Sequence, residues 1–164
     1  MLLTGYHGTT KAKGLDIVEM KYFHKSNSSK EWLGAGIYFY FEYKDAMNWV
    51  KEHYTDDFVV LHGIVDVKKE QVIDFDSNEG ICYYRSAISI LKKEYEHLIA
   101  GTAQENQCAI ANFIWNEWSE IKVLIASFAS VPSEFRMLKD AREKRREFCV
   151  RSNDFIKNVQ LIEG

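Results

Sequence analysis

The chain has 164 residues, 46% of them hydrophobic and 27% charged, with a formal charge of −3, a composition that suits one domain with one substantial core. An independent second domain does not fit this length, the charge carries no overall nucleic-acid footprint, and no apolar run approaches a membrane span. Cys82, Cys108 and Cys149 lie far apart in apolar contexts and read as buried thiols in a reducing compartment. The first residues lack the basic leader and apolar core of an export signal, so the expected location is cytoplasmic; a toxin domain delivered into a target-cell cytoplasm would look the same.

Residues 2–7 form a short strand-like run that Gly8-Thr9-Thr10 is expected to end, leaving His7 where strand meets loop. Thr10 is placed to cap a helix over 11–18, with Ala12, Leu15 and Val18 at helical spacing. Residues 23–30 turn polar and read as a loop on the rim of a cleft. The stretch from Trp32 to Trp49 follows. Gly34 and Gly36 permit a tight turn or close backbone approach, 37–41 has strand character, and 44–54 sets Ala46, Met47, Val50 and Tyr54 on one helical face. A strand that hands directly into a helix, with aromatics at 38, 40, 43 and 49, is material for a cleft wall.

After a turn at 53–57, residues 58–67 give the strongest buried-strand signal, expected near the middle of a sheet, with Gly63 marking a bulge or close approach. A short strand over 72–75, one or two helices over 81–99, a turn at 101–106 and a helix over 109–118 come next. In the first of these helical stretches Ile88, Leu91, Tyr95 and Leu98 repeat at spacings of three or four. Strand character returns at 123–129 and is broken by Val131-Pro132-Ser133. The charged run 139–146 is expected to be a solvated helix or loop, with phosphate contact as the alternative, and strands over 148–151 and 155–162 finish the chain. The reading is mixed α+β, with the sheet assembled from both ends of the chain.

Gly34 and Gly36 lack the spacing of a dinucleotide-binding or phosphate-binding loop, and the five histidines show no paired ligand spacing, so no metal is expected. Ser86 and Ser127 lack a hydrolase nucleophile's glycine-flanked turn. Three motifs remain: Tyr6-His7-Gly8-Thr9, Gly34-Ala35-Gly36-Ile37-Tyr38-Phe39 and Arg146-Glu147-Phe148-Cys149-Val150. Together they resemble the three-part signature of ADP-ribosyltransferases of the diphtheria-toxin and poly(ADP-ribose) polymerase branch, over about residues 4–160.

The resemblance implies a single catalytic domain over 1–164, with a split antiparallel sheet, flanking helices, and a histidine, a tyrosine and a glutamate on three strands around NAD. By it, His7 holds a ribose hydroxyl, the Gly8 backbone clamps the nicotinamide carboxamide, and Tyr38 packs on the nicotinamide ring. Thr9 and Gly36 join the NAD-binding set, and Trp49 stands where the family more often has tyrosine. Glu147 supplies the carboxylate for the oxocarbenium-like transition state, with Glu143 and Glu134 as rivals. The implied reaction is mono-ADP-ribosyl transfer from NAD, without metal, to a protein or nucleic-acid acceptor. If the protein is a toxin, an antitoxin or immunity protein is the expected partner. The alternatives are an NAD glycohydrolase and an inactive module that binds NAD, ADP-ribose or a protein. Loops at 24–31, 76–85 and 130–146 are the regions expected to select the acceptor.

Overall fold

The computed structural model describes residues 1–130 and 143–162. In chain order the elements are β1 (Leu2–Thr10), α1 (Lys11–Met20), β2 (Ile37–Tyr40), α2 (Tyr43–His53), β3 (Phe58–Asp66), β4 (Val72–Asp74), α3 (Asn78–Glu94), α4 (Ala103–Glu117), β5 (Val123–Ser130), β6 (Glu143–Val150) and β7 (Ile156–Leu161). The fold is mixed α+β, with four helices among the described residues and one open sheet in the order β4-β5-β6-β2-β1-β3-β7. All strand pairs are antiparallel except β4 with β5, which run parallel, so the expectation of a wholly antiparallel sheet is corrected at that edge. No helix among the described residues is long and apolar enough to cross a membrane.

Alternation along the strands divides the core between the two faces of the sheet. Phe39, Leu61, Ile125 and Phe148 pack on the face that receives Ile17 of α1, whereas Leu124, Ala126 and Cys149 pack against α3 and α4 on the other. Tyr40 and Val60 meet Ala46 and Val50 of α2 over the adjoining strands. Between α2 and the α3–α4 pair the second face is left open to a cleft.

Several local readings are corrected by tertiary pairing. Gly8-Thr9-Thr10 does not end β1, because β3 pairs with it throughout and Thr10 faces Phe58. Thr10 does cap α1, accepting from the Lys13 N–H at 3.4 Å, but the helix buries Gly14 and Ile17 while Leu15 is exposed. The turn expected at 101–106 is instead the start of α4: the Thr102 hydroxyl accepts from the Glu105 N–H while the Glu105 carboxylate accepts from the Thr102 N–H, a capping box. Tyr95 and Leu98 lie exposed beyond the end of α3. Cys82 is exposed, and only Cys108 and Cys149 are buried. β6 begins at Glu143 rather than Phe148, because β5 pairs with its charged half. Residues 139–142 of that run lie outside the described residues.

Gly63 marks a close approach, as expected. It pairs with Gly5 across β1 and β3, and the two leave a hollow under the stacked rings of Phe39 and Phe148, whose centroids are 5.2 Å apart. A Cβ on Gly63 would meet Phe39 Cε1 at 2.6 Å, and one on Gly5 would meet Phe148 Cε1 at 2.5 Å. Gly63→Ala should therefore destabilise the fold by about 1–3 kcal/mol in urea titrations. Its cost should shrink when Phe39→Leu is also present, since the two changes act on one contact.

Candidate active site

The site starts where the sheet parts. β1 and β2 share a single register pair, Tyr6 with Tyr40, and then diverge. At the opening the His7 ring crosses to β2, its Nδ1 lying 2.8 Å from the Tyr38 carbonyl oxygen. A carbonyl only accepts, so Nδ1 carries the proton, and the neutral ring keeps an acceptor lone pair at Nε2. Burial holds the His7 pKa below its ordinary value, partly opposed by that same hydrogen bond, so the ring is neutral at pH 7. Phe23 packs edge-on to the ring, with centroids 5.1 Å apart, and the Asn153 side chain both accepts from the Phe23 N–H and donates to its carbonyl.

The backbone of Gly8 faces the same opening. Met1 and Val67 exchange hydrogen bonds, and the Ile162 N–H bonds the Val60 carbonyl, so odd-numbered residues of β1 turn their backbone groups toward β3 and even-numbered ones away. Gly8, opposite Val60, accordingly directs its N–H and C=O toward the gap beside β2. Its missing side chain lets α2 seat directly on β1: a Cβ there would meet Val50 Cγ1 at 2.3 Å.

Tyr38 stands on the β2 side of the cleft. Its hydroxyl donates to the Gly34 carbonyl at 2.6 Å and accepts from the Leu33 N–H at 3.0 Å, which leaves the ring as the working surface. Gly34 adopts φ +75°, a conformation that suits glycine, and Gly36 admits Cys149 so closely that a Cβ would lie 2.3 Å from its Sγ. Ser26 and Gly36 exchange backbone hydrogen bonds, which folds the polar loop back onto the entry to β2. From the other side α4 ties the segment down. Gln104 donates to the Lys30 carbonyl, Asn112 accepts from the Ala35 N–H and Trp115 donates to the Leu33 carbonyl. These three recur along one flank of the helix.

Glu147 enters from β6, paired with Tyr40 on one side and Ala126 on the other. Alternation sends Arg145 and Glu147 to the cleft and the intervening Arg146 to the opposite face, where it pairs with Asp74 and lies over the Phe41 ring. Burial raises the Glu147 pKa to about 7; the charges of Glu31 and Asp45 push the same way and Arg145 opposes them. Arg145 is engaged by Glu52 of α2 through two hydrogen bonds of 3.2 and 2.7 Å. Trp49, on α2, stacks on His53 at a centroid separation of 4.3 Å.

His7, Gly8, Gly36, Tyr38, Trp49 and Glu147 all line one cleft of about 600 Å³. Thr9 does not line it and is buried in β1. Glu134 and the side chain of Glu143 lie outside what the structure describes. The cleft also takes in Trp32 and Phe128, together with Glu31 and Arg145, which the sequence places only within an acceptor-selecting loop and a charged run and not individually at the site. The usable signals were faint: Glu31 closes the polar loop, and Arg145 stands two residues from Glu147, on the same side of a strand. Among the described residues no group of three or more His, Cys, Asp or Glu side chains is placed to hold a metal ion.

No family model matches the chain, and no solved structure matches it. The uncharacterized protein MJ0359 of Methanocaldococcus jannaschii is similar to it, with 29% identity over 83 residues that cover 47% of this chain and 39% of that protein. The matched segment is thus less than half of either chain.

A carboxyl group with a pKa of about 7 in the folded state and an ordinary value when unfolded binds more protons folded than unfolded between those limits. Stability is therefore lost as pH rises from about 4.5 through 7. Glu147→Gln, which mimics the protonated acid, should melt with wild type at pH 4 and be the more stable protein at pH 8, by on the order of 2–3 kcal/mol. Thermal unfolding of both proteins at the two pH values measures the difference.

Proposed function

We propose that this protein transfers ADP-ribose from NAD to a macromolecular acceptor and releases nicotinamide, with a sheet split in the manner of the ADP-ribosyltransferases. The observation that carries the reading is that His7, Tyr38 and Glu147, from three segments far apart in the chain, line one cleft at the parting of β1 and β2. His7 Nε2 accepts from a ribose hydroxyl of the adenosine half. The N–H and C=O of Gly8 complement the nicotinamide carboxamide, and the rings of Tyr38 and Trp49 form walls for flat groups. Gly36 brings β2 close to β6, which keeps Tyr38 and Glu147 within one cavity. Thr9 supports this set from the core without lining it.

Cleavage of the bond between ribose and nicotinamide leaves oxocarbenium character at C1′. The carboxylate of Glu147 accepts a hydrogen bond from the ribose and offsets the charge as it grows, so its effect is larger in the transition state than in the bound ground state. The remaining groups act by positioning, and the chemistry asked of them calls on no metal ion. Transfer of a single ADP-ribose in a cytoplasm, as a toxin held in check by an antitoxin or immunity protein, is the biological setting this activity fits.

The test is to incubate purified wild type, Glu147→Gln and His7→Ala with adenine-labelled NAD and a cell lysate separated into protein, RNA and DNA. Label transfer and nicotinamide release are both followed. Wild type should label one fraction. Glu147→Gln should lose about 100-fold in turnover with little change in NAD affinity, and His7→Ala should weaken productive NAD binding. Equal activity in wild type and folded Glu147→Gln would sink the assigned role, and release without label would move the reading to NAD glycohydrolysis. Because the active form is the carboxylate, the rate at saturating NAD should rise with pH through about 7 and level off, as rates from pH 5.5 to 8.5 will report.

A further inference from the structure

The transferase reading leaves one proton unassigned. Departure of nicotinamide takes the electron pair of the C1′–N bond and neutralises the pyridinium. The acceptor's lone pair then bonds to C1′, and an O–H or N–H acceptor must release its proton to a base. Glu147 faces the ribose, and His7 Nδ1 is committed to Tyr38. The Tyr38 hydroxyl is committed to Leu33 and Gly34, and Arg145 to Glu52.

A second carboxylate lines the same cleft. Glu31 is oriented by the Ser26 hydroxyl, which donates to its Oε1, and Ser26 is itself locked to Gly36 by two backbone bonds. Its charge reaches Glu147, Tyr38 and Cys149, so it sits within electrostatic range of the reacting region. The next residue, Trp32, packs on Phe128 with ring centroids 5.3 Å apart. These two rings line both the cleft and a neighbouring hollow of about 490 Å³ bounded by Phe75, Asp76, Tyr84 and Gln107. Trp32 and Phe128 therefore form the boundary between that outer hollow and the cleft that holds Glu31.

Building on the transferase reading, we propose that Glu31 is the base that takes the acceptor's proton, and that the acceptor is a protic O–H or N–H nucleophile arriving past Trp32 and Phe128. A phosphate monoester fits poorly, since the dianion that predominates at neutral pH needs no base and would meet two acidic side chains. His24 lines the cleft as well, edge-on to Tyr22, and is the rival base.

The experiment compares wild type, Glu31→Gln, His24→Gln and Glu147→Gln with adenine-labelled NAD and cell lysate, with and without sodium azide. Azide is an anionic nucleophile that carries no proton, so it dispenses with the base. Glu31→Gln should lower transfer and hydrolysis about 10²–10³-fold with the KM for NAD held within about 2-fold. Azide should restore its nicotinamide release, with ADP-ribosyl azide as product, but leave the loss in Glu147→Gln unreversed; His24→Gln should show no azide-reversible loss. Undiminished transfer by Glu31→Gln, a loss that azide does not reverse, a matching azide-reversible loss in His24→Gln, or label on a terminal phosphate would each overturn the proposal. A wild type that releases no nicotinamide would overturn the transferase reading and this proposal with it, a pattern distinct from those four.

Discussion

The contact on which the cleft depends is the one between the His7 ring and the Tyr38 carbonyl. Continued pairing of β1 with β2 would bring main-chain donors to that carbonyl; the parting of the strands removes them. An unsatisfied buried carbonyl is costly, and the imidazole supplies the missing donor. One hydrogen bond thereby lets the sheet open without an orphaned acceptor and fixes the tautomer of His7, a residue that lines the cavity. Phe23 and Asn153 hold the ring in place from the side opposite the opening.

The glycines explain how so much is brought so close. Gly8 admits α2, Gly36 admits Cys149, and Gly5 with Gly63 admits the stacked pair of Phe39 and Phe148. Each removes a side chain where two elements meet, so walls from β1, β2, β6 and α2 converge on a small volume. Glu147 consequently sits in surroundings that disfavour its charge, while Arg145, held by Glu52, tempers the effect. A carboxyl poised near neutrality is the usual result when burial and neighbouring acids outweigh a nearby cation.

Much of this was legible locally, for identifiable reasons. The strand-to-helix handover around Tyr38 and the buried run of β3 carried strong periodicity, and both formed. The Thr102–Glu105 capping box was equally readable, yet Gly101 drew the boundary toward a turn. β1 and β6 ran longer than their sequences indicate, because pairing with β3 and β5 outweighs the local preferences of Gly8 and of a run of charges. On α1 Val18 packs against the core as expected, but Ala12 and Leu15 are exposed and Gly14 and Ile17 are buried instead, a choice of face that only the neighbouring strand can make.

By itself the sequence determined the class of fold, most of the elements, and three motifs whose residue types suit one chemistry, since periodicity and residue chemistry are local properties. Tertiary structure alone decided that β1 and β2 would separate at His7, and that Gly8 would turn its backbone to the gap. It also brought Glu31, Trp32 and Phe128 to the cavity holding Glu147, and sent Arg145 and Arg146 to opposite faces with different partners. Those outcomes depend on which strands become neighbours and in what register, a balance of long-range contacts that no short stretch of chain encodes.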